Sequence, residues 1–550
     1  MYRKMMTALL AITMVAVTAC SSGAKEEPAK EAAAPLALQD GKYEPAVQMS
    51  YLRAWNDDTK FKNGETAQNN VHTKWAKERL GIDLTTPWAV SVTNDAFYTK
   101  LRLSLSANEE LPDIVSIRGD YNLVRELIES GKFANAGELF DKYASDTWKQ
   151  ASESASEEWY PYMYEGERYG IPIFDYAYNG DSVMFIREDW LKKLGLEEPK
   201  TMDELVTVMD AFTNQDPDGN GKKDTYGLTV GMKNALNTWM TESGWIFGMY
   251  NTMPGQWNDA GDGTLQYGSI QPGVKEGLAT MKDWLSKGYL PKEAGVYDEI
   301  KAAELFTAGK AGIIVGPHWM PNWPIDDVKK NVDGATYKAI ALPTGPTGES
   351  HQHGSGASNG VVLINKDMAN PEIFFTYQNY LFDNFANPEV GSEFEHGFAQ
   401  GYDYDIVDGK VVGEAEVKDG VSPLKYTITY DGARIPNLMM DTLAELAKGK
   451  EPETPFEKNT KIANKPEVFV AAEVVVANKD NAIKNKFTGA PTETMKMKKD
   501  AIDKLEKDTF SKIIYGQVGI EEFDAFVTKW KSMGGDDITA EVNEWYKTVN

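Results

Sequence analysis

The stretch Phe306-Thr-Ala-Gly-Lys-Ala-Gly-Ile-Ile-Val-Gly-Pro-His-Trp319 decides how this chain folds. Glu299 to Ala308 has helical spacing, Gly309 breaks it, and an apolar run then stops at Pro317. Helix, glycine turn and buried strand in succession are the unit of an α/β layer. Working outward, Val47 to Leu52 reads as a strand and Asn70 to Leu80 as a helix closed by Gly81. A helix over Ala96 to Ser106 precedes a short strand, Asp113 to Ile117. Tyr169 to Ile173, then a strand Ser182 to Ile186 and a helix Glu188 to Leu194, follow. Further on come helix Met202 to Phe212, strand Tyr226 to Val230, helix Val274 to Lys287, strand Val361 to Asn365 and a helix from Pro371. The last hundred residues are largely helical in pattern, and no internal repeat is evident.

The first residues concern location. Arg3 and Lys4 precede a small and apolar run, Thr7 to Thr18, too short to span a bilayer and suited to a secretory signal. It ends in Val17-Thr-Ala-Cys20, followed by Ser21-Ser-Gly23. Apolar, two small residues, then Cys is similar to the lipobox of bacterial lipoproteins. On that reading residues 1–19 are removed and Cys20, the only cysteine, carries lipid. A lone thiol that becomes a thioether needs no partner, and the remaining chain has no disulfide to rely on. Ser21 to Leu38, rich in Ala, Lys, Glu and Pro without an aromatic residue, reads as a tether within a linker over 20–45.

The formal charge is −26, and two units more negative without Arg3 and Lys4. That excludes nucleic acid as a partner and adhesion to anionic lipid through protein charge, leaving lipid as the membrane anchor. Aromatic residues make up 11% of the chain, with 14 Trp, an unusual number of which large cores use some. Flat rings on which sugar C–H faces stack are another use for them.

Several segments then occur in a telling order: Leu111-Pro-Asp-Ile-Val115, Tyr169-Gly-Ile-Pro172, Val183-Met-Phe-Ile186, Phe306 to Gly312 with Gly316-Pro-His-Trp319, and Gly534-Gly-Asp-Asp-Ile538 through Glu544-Trp-Tyr546. Together the chain resembles the carbohydrate-type (family 1) solute-binding proteins of ABC importers, in particular their large lipoprotein members. The resemblance implies an α/β, two-lobed, periplasmic-binding-protein-like (type II) fold whose lobes close on a ligand. The expected division is 46–172 with 352–430 for one lobe, and 173–351 with 431–550 for the other. It further implies a monomer that passes a carbohydrate, of oligosaccharide size, to an ABC permease.

In open α/β sheets ligands sit beyond the carboxyl ends of the strands. That rule nominates Arg118, Asp120 and Tyr121 after the strand ending at Ile117. Arg118 and Asp120 offer charge-assisted bonds to hydroxyls, and a local ion pair between them is the competing reading. His318, Trp319 and Trp323 follow the strand ending at Pro317, and Trp319 matches the family's "gpw" position, which often packs on sugar rings. Core packing is the alternative for that tryptophan. Trp245 and Phe247 in a Gly-rich loop, Trp55 and Asp57, Trp88 and Asn94, Tyr176 and Arg434 complete the candidates.

Asp216-Pro-Asp-Gly-Asn-Gly-Lys-Lys-Asp-Thr-Tyr-Gly227 places oxygen donors as in the first part of an EF-hand loop. Asp216, Asp218, Asn220, the carbonyl of Lys222, and Asp224 would hold Ca²⁺, with Thr225, water or a distant acid completing the shell. Position twelve, where a bidentate Glu is expected, is Gly227, and a strand follows instead of a helix. An ion-free Asp/Asn/Gly turn is the alternative.

The rival function is a secreted glycosidase, but with so many acids a pair about 5–9 Å apart could arise by chance. Gly356-Ala-Ser-Asn-Gly360 matches G-x-S-x-G formally, yet a loop precedes it and a strand follows, the reverse of a nucleophile elbow. His351-Gln-His353 lacks a further metal-ligating cluster. A receptor for peptides, or one that signals to a membrane kinase, would share the fold.

Overall fold

A computed structural model describes residues 36–57 and 59–549; the expected signal, Cys20 and most of the expected tether lie outside the described residues. Nine strands build the two main sheets: β1 (Val47–Arg53), β2 (Ile82–Thr85), β3 (Ile114–Ile117), β4 (Gly170–Phe174), β5 (Ser182–Arg187), β6 (Tyr226–Thr229), β7 (Ala311–Pro317), β8 (Tyr337–Ile340) and β9 (Ser358–Ile364). The first sheet runs β2-β1-β3-β9-β4 and the second β6-β7-β5-β8.

In the first sheet β1 is parallel to β2 and β3, while β9 runs antiparallel to β3 and β4. Arg53, Thr85, Ile117 and Phe174 therefore end on one edge, where β9 begins. In the second, β6 and β7 are parallel and β5 is antiparallel to β7 and β8. Thr229 and Pro317 end on the edge where Ser182 starts. Short apolar runs with no exposed position, such as β3, β5 and β7, are what helices on both faces require.

Local chemistry sets the helices. Asn70 and Thr73 form a reciprocal cap at the start of Val71–Leu80, and Gly81 ends it in the left-handed conformation expected of it. Thr201 and Glu204 cap Met202–Asn214 in the same reciprocal way. Leu52, Phe97, Val115, Leu127 and Leu363 pack the first sheet, whereas Trp190, Phe212, Trp245 and Trp284 anchor the core beside the second. The C-terminal helices Glu493–Ile514, Glu522–Trp530 and Asp536–Val549 join that second core through Ile513, Phe526 and Val542.

The chain leaves the first sheet once, completes the second, and returns as β9. Because Phe174 still pairs with Ser358, the crossing runs through 175–181 and does not begin at 173 as expected. Three connecting segments meet there. Asp175 N donates to Ala357 O (2.8 Å), Ala177 N to Pro436 O (2.6 Å), and the Asp181 carboxylate accepts from Ser355 N (2.8 Å) and Oγ (2.7 Å). Within Gly356-Ala-Ser-Asn-Gly360 the chain is already strand from Ser358, with a register shift before Val361. Gly360 (φ 120°) is required there, since a Cβ would lie 2.5 Å from Ile117 O.

Candidate ligand-binding cleft

Ile117 ends β3, so the next side chain, Arg118, projects past the sheet edge toward the connecting segments. Its Nε donates to Asn359 O (3.0 Å) and its Nη2 to Asp431 Oδ2 (2.5 Å). Asp431 also faces Arg434 Nη2 at 3.5 Å, and Arg434 Nη1 pairs with Asp175, the residue that follows β4. The result is an alternating chain, Arg118–Asp431–Arg434–Asp175. Burial pushes the Asp431 carboxyl up, but the Arg434 and Arg118 guanidiniums outweigh it and hold the group below the usual carboxylate range. Burial likewise disfavours the Arg434 charge, and Asp431 and Asp175 more than restore it. Arginine planes also lie over aromatic rings: Arg118 and Arg53 over Tyr430 (4.0 and 4.2 Å), and Arg434 over Tyr176 (4.9 Å).

A tryptophan array adjoins this floor. Asn179 Nδ2 donates to Asp175 (3.2 Å), and Trp319 Nε1 donates to Asn179 O (3.0 Å), so the indole is tied to the charged chain. Trp239 lies between Trp319 and Trp323, with centroids at 6.0 and 6.2 Å and planes tilted by 17° and 2°. Trp239 is 45% exposed and Trp323 50%, large apolar areas to leave in water beside a charged floor. Tyr176, Asp431 and Arg434 form one end of a cavity of about 770 Å³, whose walls come from 385–424 and from 439–465. Such a volume accommodates several sugar rings.

The other expected residues fall in different places. Tyr121 is exposed and stacks on Tyr162 (6.5 Å). Asp120 is not Arg118's partner: it caps helix Tyr121–Glu129 at Leu123 N (2.9 Å) and pairs with Arg102 (2.9 Å). Trp55 is buried under Arg53 (4.3 Å), and its indole N–H has no partner among the described residues. Asp57 accepts from Thr93 Oγ1, Asn94 adopts a left-handed turn (φ 52°), and Trp88 packs on Phe97 (5.5 Å). His318 is buried, and burial draws its pKa down to about 4 against the opposing charge of Asp175, so it is neutral at physiological pH. Trp245 and Phe247 are not cleft residues. They sit in a buried turn of helix, Gly244–Gly248, whose glycines permit close packing: a Cβ on Gly248 would meet His351 O at 2.0 Å.

The acidic loop is only partly arranged as expected. Asp216 Oδ2 accepts from Gly221 N (3.0 Å), Asn220 bridges Asp218 (2.7 Å) and Asp224 (3.0 Å), and Asp216 Oδ1 is buried without a partner. The ammonium of Lys310 stands against Asp224 (2.7 Å) and Asp218 (3.4 Å), neutralising the carboxylates a cation would use. Thr225 turns away, donating to Phe212 O (2.8 Å) inside the core, and is no ligand in this arrangement. Gly227 lies in β6, where a Cβ would be 2.6 Å from Met209, which explains why no Glu stands at position twelve. Among the described residues no group of three His, Cys, Asp or Glu is poised to hold a metal. Yet the donor set is all oxygen, and one buried acceptor is unsatisfied, so the residues fit a hard cation once Lys310 moves aside.

Ser358, the serine of the formal hydrolase motif, lies in β9 with its hydroxyl on Glu158, which also accepts from Ala357 N (2.6 Å). Among the described residues no imidazole is hydrogen-bonded to it, so the base–orienter relay of a serine hydrolase is not assembled.

Residues 58–384 match the family model of the bacterial extracellular solute-binding proteins. The chain belongs to that family. This solute-binding protein is 28% identical over 461 residues to the polygalacturonan/rhamnogalacturonan-binding protein YtcQ of Bacillus subtilis, covering 82% of this chain and 83% of the relative. The fructooligosaccharide ABC transporter substrate-binding protein FusA of Streptococcus pneumoniae is 26% identical over 295 residues, half of this chain and 52% of the relative. A solved FusA complex with kestose has the same fold (TM-score 0.60, 18% identity, 92% of this chain and 99% of that one). So does the alginate-binding protein AlgQ2 without calcium ion (TM-score 0.62, 19% identity, 93% and 99%). These relatives are binding proteins and not enzymes, and their fold agrees with a two-lobed α/β architecture.

Sequence reasoning missed Asp175, Asn179, Trp239, Tyr430 and Asp431. Asp175 directly follows a strand, as Arg118 does, and Asp431 precedes Arg434 by three, signals of the kind already used. Trp239 gave none, because its neighbours Trp319 and Trp323 are about eighty residues away.

Proposed function

We propose that this protein is the extracytoplasmic receptor of an ABC importer and holds an oligosaccharide between its two lobes. The observation that carries this is the Trp319–Trp239–Trp323 array, its Trp239 and Trp323 rings exposed and Trp319 half-buried, tied through Asn179 to the Arg118–Asp431–Arg434–Asp175 chain. Aromatic planes take the C–H faces of sugar rings, while fixed guanidinium and carboxylate groups donate to and accept from hydroxyls. The lobes are 46–174 with 358–430, and 182–354 with 431–550, since 352–354 pair with 482–484 and the first sheet resumes at Ser358; the three connecting segments join them. Closure about them would desolvate the ligand's hydrogen bonds and present a new surface to the permease.

Cys20 is the lipid-bearing residue, and the tether lets a monomeric receptor stay concentrated at its permease. Asp216, Asp218, Asn220, Asp224 and the Lys222 carbonyl hold a structural Ca²⁺, away from the sugar, when Lys310 swings out. The protein performs no hydrolysis. A thermal-shift screen of oligosaccharides, with product analysis of the same mixtures, tests the assignment. Stabilisation without new products is expected; product release, or shifts by peptides and not by saccharides, would refute it.

A further inference from the structure

The charges around the cavity discriminate among saccharides, an inference that rests on the oligosaccharide reading and sharpens it. Six lining side chains carry full charges: Asp403, Glu414, Glu416 and Asp431 against Arg434 and Lys465. Neither cation is free. Lys465 Nζ is held by Asp326 Oδ2 (2.7 Å), and Arg434 by Asp431 and Asp175. Arg118, at the far side of Asp431, is committed to it as well. Recognition of a sugar carboxylate needs a guanidinium or ammonium with an open face. Among the described residues at this cavity every guanidinium and ammonium already faces a protein carboxylate. The whole chain, at −26, adds a field of the same sign.

We infer that the cleft selects uncharged oligosaccharides and rejects uronate-bearing ones, with Asp431, Glu414 and Glu416 as the specificity-determining residues. The preference is thus opposite to the polyuronide for which the Bacillus relative is named. Hydroxyls can share the existing network, accepting from Arg118 and Arg434 while donating to Asp431 and Asp175. A carboxylate would have to expel Asp431 from between two arginines and meet the remaining acids.

Calorimetric titration with matched neutral (fructan, xylan and mannan) and oligogalacturonide fragments, in low and high salt, tests this. Neutral fragments are expected to bind, with oligogalacturonides at least a hundredfold weaker and less disfavoured in high salt. Asp431→Asn should raise oligogalacturonide affinity by freeing Arg118 and the arm of Arg434 that does not face Asp175. Glu414→Gln with Glu416→Gln, on an exposed turn, should move in the same direction and keeps the test open if Asp431→Asn unfolds. Oligogalacturonide binding equal to or tighter than neutral binding would overturn the inference and leave the oligosaccharide reading standing. If neither class binds, both fall.

Discussion

Replacing Glu242 with Gln should stabilise the protein in alkali and leave it unchanged in acid. Glu242 is 2% exposed, and among the described residues neither carboxylate oxygen has a hydrogen-bond partner. It lies beside Asp181, whose Oδ1 closes the connecting segments by accepting from Ser355. Burial raises its pKa from the ordinary 4.5 to about 8; Ser182 eases the charge slightly, and the neighbouring Asp181 raises it further. The folded protein therefore holds a proton that the unfolded chain has released between those two values. Stability must fall as pH rises through that window, by up to about 1.4 kcal/mol per pH unit. The penalty is about 1 kcal/mol at pH 5 and grows to several kcal/mol by pH 9. Gln mimics the protonated acid, so the variant escapes the penalty. Urea unfolding of both proteins from about pH 3.5 to 9 should give stabilities that coincide at the acid end and diverge steadily toward alkali. A stability difference independent of pH would show that Glu242 is ionised and partnered in the folded state, and the reasoning would be wrong.

Trp239→Ala should weaken oligosaccharide binding by about tenfold to a hundredfold, since a stacked ring contributes roughly 1–3 kcal/mol, with unfolding unchanged because the ring is half exposed; calorimetry and a melting curve check both. Calcium should raise the melting temperature, by roughly 3 kcal/mol of stabilisation at a hundred times the dissociation constant, and Asp216→Asn should abolish that response. A calorimetric titration of EDTA-treated protein without heat would refute the site. Cys20→Ser should release the protein from membranes into the medium, as fractionation with an antibody would show.

The fold was legible because short apolar runs set between helical stretches leave little choice of element, as in β3, β5 and β7. Parts of the cleft were legible for the same reason: Arg118 and Trp319 follow strand ends, and the chain can only place them on the sheet's edge. What was illegible depends on long-range contact. Trp245 looked accessible because its glycines read as a loop, whereas they serve close packing, Gly244 against Asn237 and Gly248 against His351. Adjacency left a local Arg118–Asp120 pair open beside ligand binding, but the Asp120 carboxylate meets the N–H of Leu123 and Arg102, while Arg118 reaches Asp431, 313 residues on. The loop at Asp216 showed its donors in sequence but not Lys310, which arrives from the turn before β7.

The central claim is that an oligosaccharide stacks on tryptophan at the cleft. Titrating wild type and Trp319→Ala with the same neutral oligosaccharide panel tests it most directly. Binding by wild type, weakened at least tenfold in a variant that melts at a similar temperature, is the predicted result. Equal affinities, or no saccharide bound by wild type, would contradict the account.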